Sequence, residues 1–151
     1  LDGNTLVLFN YVEKHGTPLY ELINNNVESS RKVFFVHGGT DVEDREEVRN
    51  LTETESNAII VASYGTFSTG INIKRLHNIV FASPSKSRIR NLQSIGRVLR
   101  KGEGKDIATL YDIADDIGGQ NYTLKHLNER VNIYNNENFK YEVIRVNLRA
   151  N

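Results

Sequence analysis

Gln93, Arg97 and Arg100 stand at positions i, i+4 and i+7 of the run Gln93-Ser94-Ile95-Gly96-Arg97-Val98-Leu99-Arg100. At about 100° per residue, this spacing predicts one narrow helical face for all three. Leu92, Ile95 and Leu99 fall on the opposite face, and Gly96 flanks that apolar stripe, where it lets the helix sit close to a sheet. Two guanidiniums and an amide are thus aimed at one point from a helix held on its other side. Paired arginines suit a polyphosphate, because each presents a rigid fork of donors, stays charged at any working pH and matches phosphate geometry. In phosphoryl transfer an arginine aimed at the γ-phosphate offsets charge developing in the transition state, an effect of roughly 10³ to 10⁵ in rate. The same spacing also describes an exposed amphipathic helix with surface arginines, and taken alone it leaves both readings open.

The elements that must position such a face are legible in the hydrophobic pattern. Apolar runs at Leu6-Val7-Leu8-Phe9, Val33-Phe34-Phe35-Val36, Ala58-Ile59-Ile60-Val61-Ala62, Ile79-Val80-Phe81-Ala82 and Ala108 to Ile113 alternate with helical patterns. That order is the one expected of parallel βαβ units. Strands that read as continuous apolar runs need cover on both faces, so the predicted fold is α/β, a three-layer parallel sheet with helices on each side. Thr17-Pro18 predicts a helix capped by Thr17, with Leu19, Leu22 and Ile23 as its stripe. Thr40 or Asp41 is expected to cap an acidic helix whose Val42, Val48 and Leu51 face inward, and a helix from about Ser87 to Arg100 carries the basic face. Beyond these, Tyr122 to Tyr134 reads as a polar helix with Leu124, Leu127 and Val131 inside. Tyr141-Glu142-Val143-Ile144-Arg145-Val146 alternates like an edge strand.

Composition narrows the function. The chain has 151 residues, 38% hydrophobic and 25% charged, which excludes disordered, collagen-like and disulfide-scaffold classes. With no Cys it has no thiol nucleophile, thiolate zinc site or redox pair. No run approaches a membrane span or a signal peptide, so a cytoplasmic protein is the expectation. A start at Leu1 with no Met anywhere is expected of a piece of a longer polypeptide. Nineteen basic and nineteen acidic residues cancel, but unevenly. Asp41 to Glu55 holds seven acids against Arg45 and Arg49, and Lys86 to Lys105 holds seven bases against Glu103 alone. Arg45 is expected to pair with Glu46 or Asp41, a nucleic-acid contact being the other reading. His37 is expected to be satisfied by local hydrogen bonds; no second ligand sits beside it at metal-binding spacing, and no metal site is expected in this chain.

The arginine run resembles motif VI of the superfamily 2 helicases, the Q-x-x-G-R-x-x-R element of their second RecA-like domain. Ser63 to Ile73 resembles motif V, Leu6 to Asn10 resembles motif IV, and His37-Gly38-Gly39 with Arg45 is similar to the segment between them. The four occur in the family's order across roughly residues 5 to 113, and the wording of Ala62 to Ile73 is similar to the recombination helicases of tailed phages. The resemblance implies a RecA-like helicase C-terminal domain over residues 1–118. A C-terminal helix and strand over 119–151 is expected to pack on the same domain.

By the same resemblance, Arg97 and Arg100 would be the catalytic arginines that reach ATP held on a first domain. Gln93, Gly70 and Asn72 would be ATP-binding, with Asn72 standing where an aspartate that helps hold the ribose is common. Ser63 and Thr66 would touch nucleic-acid phosphate. Gly38 and Gly39 would offer backbone N–H groups to the same strand, although the pair serves equally well as a turn into the next helix. The sequence has no G-x-x-x-x-G-K-[ST] phosphate loop; Gly102-Glu103-Gly104-Lys105 lacks both the spacing and the following hydroxyl. ATP and Mg²⁺ would therefore be bound mainly by an N-terminal RecA-like domain outside this chain, and this chain alone is expected to be inactive. The implied partner is DNA, branched forms such as forks, junctions and R-loops included, in the cytoplasm of an infected host. Two competing readings are a doubly wound nucleic-acid- or protein-binding module with no motor partner, and the motor half of a restriction or remodelling translocase.

Overall fold

The computed structural model describes residues 1–68, 76–82, 108–116 and 122–148. Five parallel strands form one sheet in the order β2-β3-β1-β4-β5. They are β1 (Thr5–Phe9), β2 (Val33–Val36), β3 (Ile59–Ser63), β4 (Asn78–Phe81) and β5 (Thr109–Asp112). All five runs expected from the sequence are strands, within a residue or two at their ends. The central strands β1 and β3 are buried along their whole length. Apolar side chains on both faces of a pleated strand have water on neither side only if helices cover both, and that is the arrangement found.

On one face Val7, Phe9, Ile59 and Val61 pack against Leu19, Tyr20 and Ile23 of α1 (Thr17–Asn26). On the other, Leu6, Leu8, Ile60, Ala62, Ile79 and Phe81 pack with three helices. These are α2 (Val42–Thr54) through Val48, α3 (Tyr64–Ser68) through Tyr64, and α4 (Tyr122–Asn136) through Val131, Ile133 and Tyr134. The N-terminal end of the sheet is closed by polar groups. Asn4 accepts from the Ala58 N–H and donates to the Glu55 carbonyl, and Arg31 donates to the carbonyls of Leu1, Gly3 and Asn57. Gly3 has φ +92°, and a Cβ there would lie 2.7 Å from His77, so this turn admits glycine alone.

Several local expectations are corrected. Thr17 is not the cap of α1: a π-helical turn, Val12–Gly16, runs straight into the helix, and Thr17 is its first residue. Pro18 still sits in the first turn, where no N–H is needed. Leu22 is exposed and rims an open apolar hollow with Leu1, Val80 and Ile113 instead of joining the core. Val42, the first residue of α2, is exposed, while Val48 one and a half turns on meets the core. The side chain of Leu51 and the expected helix from Ser87 to Arg100 lie outside the described residues. The expected edge strand at Tyr141–Val146 is not formed: residues 139–148 have no regular structure, and Tyr141, Val143, Ile144 and Val146 are exposed. Alternation makes a strand only where a free edge accepts it, and among the described residues no strand pairs with this segment.

Candidate functional site

Strand register places the candidate residues at one end of the sheet. Phe9 of β1 is level with Ser63 of β3, Val36 of β2 with Ala62, and Phe81 of β4 with Asp112 of β5. Tyr11, His37, Ser63 and Asp112 therefore all lie at the carboxyl ends of parallel strands, the side on which open α/β sheets bind their ligands.

Ser63 closes β3 and starts α3. Its Oγ accepts the Thr66 N–H at 3.3 Å and lies 2.7 Å from the Thr66 Oγ1, so the two expected phosphate-contacting hydroxyls are brought together. Both residues are buried; one hydroxyl donates to the other, and the Ser63 Oγ caps the short helix by accepting the Thr66 N–H. Gly38 and Gly39 form a tight turn after β2, closed by the Thr40 N–H on the His37 carbonyl at 2.9 Å. The Thr40 hydroxyl accepts the His37 N–H, and the His37 Nδ1 accepts the Gly39 N–H at 3.1 Å. His37 is thus satisfied locally, as expected, and it occupies one of the two backbone donors assigned to a phosphate. The space around Gly38 is open: a Cβ there would meet nothing within 4 Å.

Arg45, in the first turn of α2, does not make the ion pair expected with Glu46 or Asp41. Its Nε is buried without a hydrogen-bond partner. Gly70, Asn72, Gln93, Arg97 and Arg100 lie outside the described residues.

One cluster had not been expected. Asp112, at the end of β5, receives two parallel bonds from Arg130 of α4, Nε to Oδ2 at 2.6 Å and Nη2 to Oδ1 at 2.8 Å. The Tyr134 hydroxyl donates to the same Oδ2 at 2.6 Å. Arg130 is 2% exposed, and its Nη1 is buried with no partner. Burial, then the adjacent Asp112 carboxylate and the bond to it, push the Tyr134 hydroxyl well above the usual tyrosine range, with Arg130 opposing. The signal in the sequence was a carboxylate ending an apolar strand, together with Arg130 and Tyr134 at i and i+4 on one face of the tail helix.

Among the described residues no three His, Asp or Glu side chains converge as a metal site. The sequence has no G-x-x-x-x-G-K-[ST] phosphate loop. Among the described residues, too, no helix is long and apolar enough to cross a membrane.

A parallel five-stranded sheet layered between helices, with hydroxyl, glycine and arginine positions gathered at its carboxyl edge, is the RecA-like arrangement. Residues 1–102 match the helicase conserved C-terminal domain family, and the chain belongs to it. It is 42% identical, over 160 aligned positions, to the ATP-dependent DNA helicase uvsW of Enterobacteria phage T4; the match covers 97% of this chain and 31% of that protein. The chain therefore spans about a third of the length of this relative. Its fold is shared with the crystal structure of the C-terminal part of the Fun30 ATPase domain, at a TM-score of 0.63 and 18% identity over 83% of this chain and 38% of that one.

Proposed function

We propose that this chain is the second motor domain of an ATP-dependent DNA helicase or translocase. The observation that carries the reading is the family match over residues 1–102, which takes in both the carboxyl-edge cluster and the Gln93–Arg100 run. ATP is sandwiched between an N-terminal RecA-like domain of the same polypeptide, which supplies the phosphate cradle and the Mg²⁺ ligands, and the present domain, with Gly70, Asn72 and Gln93 on the nucleotide side. Arg97 and Arg100 favour the closed state while the γ-phosphate is present, and its loss removes that differential contact. Each cycle of closure shifts the grip of Gly38, Gly39, Ser63, Thr66 and Arg45 on one strand. The buried hydroxyl pair holds the loop after β3 in shape, and Ser63 gives up its cap when a phosphate arrives. Residues 1–118 form the motor domain, and 119–151 an extension folded onto it through α4.

The resemblance to the phage helicase favours branched DNA (forks, junctions and R-loops with their RNA–DNA hybrids) as substrate, in replication, recombination and repair inside an infected bacterial cytoplasm. Phosphate contacts carry no base information. The full polypeptide is therefore expected to bind two single-stranded oligonucleotides of unrelated sequence with equal affinity. On a log–log plot that affinity should fall with salt at a slope of about −0.7 per phosphate neutralised. Fluorescence anisotropy at several salt concentrations measures both. Strong preference for one sequence, or affinity indifferent to salt, contradicts the proposed grip.

A further inference from the structure

The chain leaves β1 through Asn10 and Tyr11 before entering the π-helical turn. Tyr11 is extended, at φ −110° and ψ 124°, and its carbonyl accepts two N–H groups, from His15 at 2.9 Å and Gly16 at 3.0 Å. Turns of this kind are rare and concentrate at functional positions. The turn is seated on the core through Gly16, where a Cβ would lie 2.5 Å from the Phe9 ring. Phe9 in turn belongs to an aromatic layer: its ring meets Phe35 at 5.7 Å, and Phe35 meets Tyr20 at 5.2 Å and His37 at 5.1 Å. One rigid layer therefore fixes both the backbone beneath Tyr11 and the His37 end of the glycine turn.

Above that fixed backbone, the Tyr11 ring is 64% exposed and rests on the His15 ring at 5.4 Å and 55°. Tyr11 belongs to neither core cluster of the described residues, so the fold gains little from its ring. A large aromatic face left in water, yet held by a neighbouring ring, has already lost much of the freedom that stacking would cost it. It projects from the same carboxyl edge as the Gly38–Gly39 turn, two strand spacings or about 10 Å away across β3. We propose that Tyr11, braced by His15, is a base-stacking platform for the single strand whose phosphates follow this edge. The inference rests on the nucleic-acid reading above and adds to it a contact with the bases. Stacking is tolerant of sequence because every base has a π-face, which suits a protein that must step past all of them.

The test uses the full polypeptide and single-stranded oligonucleotides carrying 2-aminopurine at successive positions. Binding should quench the probe at one position; Tyr11→Phe should keep that quenching, and Tyr11→Ala should lose it. The affinity of Tyr11→Ala should fall roughly 5- to 150-fold, the range for one stacked base, with the salt slope unchanged because no phosphate contact is lost. Wild-type affinity and quenching in Tyr11→Ala overturn the platform, as does a Tyr11→Phe variant as weak as alanine, which assigns the effect to the hydroxyl. A wild-type protein that binds no oligonucleotide overturns the nucleic-acid reading itself, and the platform with it.

Discussion

Replacing Arg97 or Arg100 by alanine in the full polypeptide is expected to lower ATP turnover by roughly 10³ to 10⁵, the range for an arginine that stabilises the transferring phosphoryl group. The expectation follows from spacing and charge. On the helix that the spacing predicts, the two guanidiniums stand at i and i+3, with Leu92, Ile95 and Leu99 on the other face, so both are expected to share one target. Lysine should not rescue, since it offers a point charge where a planar fork is needed. DNA affinity should stay within a few-fold of wild type, because the proposed grip on the strand lies at other positions, along the carboxyl edge. Steady-state ATPase assays, with anisotropy on the same preparations, separate the two effects. Normal turnover in both alanine variants removes the arginines from the reaction, and an equal loss of DNA affinity moves them to the strand.

The second large effect is on stability. Asp112→Ala leaves the Arg130 guanidinium, 2% exposed, without the one carboxylate that pairs with it among the described residues, in addition to an Nη1 that already lacks a partner. Breaking a buried pair from one side costs about 3–5 kcal/mol. For a chain of this size that lowers the melting temperature by roughly 6–20 °C. Tyr134→Phe removes one bond to a charged acceptor and should cost less, about 1.5–3 kcal/mol. The double replacement Asp112→Leu with Arg130→Met should recover most of the loss, since two apolar side chains leave no charge uncompensated. Tyr134 also sets a pH limit. In the unfolded chain its hydroxyl ionises near pH 10, whereas in the fold it is held protonated by burial and by Asp112. Above pH 10 the folded state therefore holds the extra proton, and stability falls as pH rises; Tyr134→Phe should remove that share of the decline. Thermal melts of the four proteins from pH 7 to 11 check the order and the slope. Asp112→Ala melting with wild type contradicts the account of the network.

Much of the sheet was legible because burial on both faces writes itself as an unbroken apolar run, as in β1 and β3. The chemistry at the strand ends was legible as residue types, with Ser63, Thr66 and the Gly38–Gly39 turn all at the expected edge. Their pairing was not, because a hydroxyl's partner depends on how tightly α3 starts after β3. Arg45 was misassigned for a related reason. Asp41 stands one helical turn before it and Glu46 is adjacent, yet closeness in sequence does not by itself place an ion pair. The π-helical turn leaves no trace, since five residues are too few to display a period. The Asp112–Arg130–Tyr134 cluster joins Asp112 to residues 18 and 22 further along the chain, and the residue types at a strand end and on one helical face do not by themselves show that the two elements meet. The tail alternation at Tyr141–Val146 was legible as a pattern and misleading as a structure, since alternation does not say whether the segment reaches a strand, and among the described residues it pairs with none.

The central claim is that this chain is one half of an ATP-driven motor. DNA-stimulated ATP hydrolysis, measured side by side on the 151-residue chain and on the longer polypeptide that carries it, tests the claim most directly. The chain alone, folded as judged by circular dichroism, should show no turnover, and the longer polypeptide should show DNA-stimulated turnover. Appreciable hydrolysis by the isolated chain, or none by the longer polypeptide in the presence of DNA, would contradict the claim.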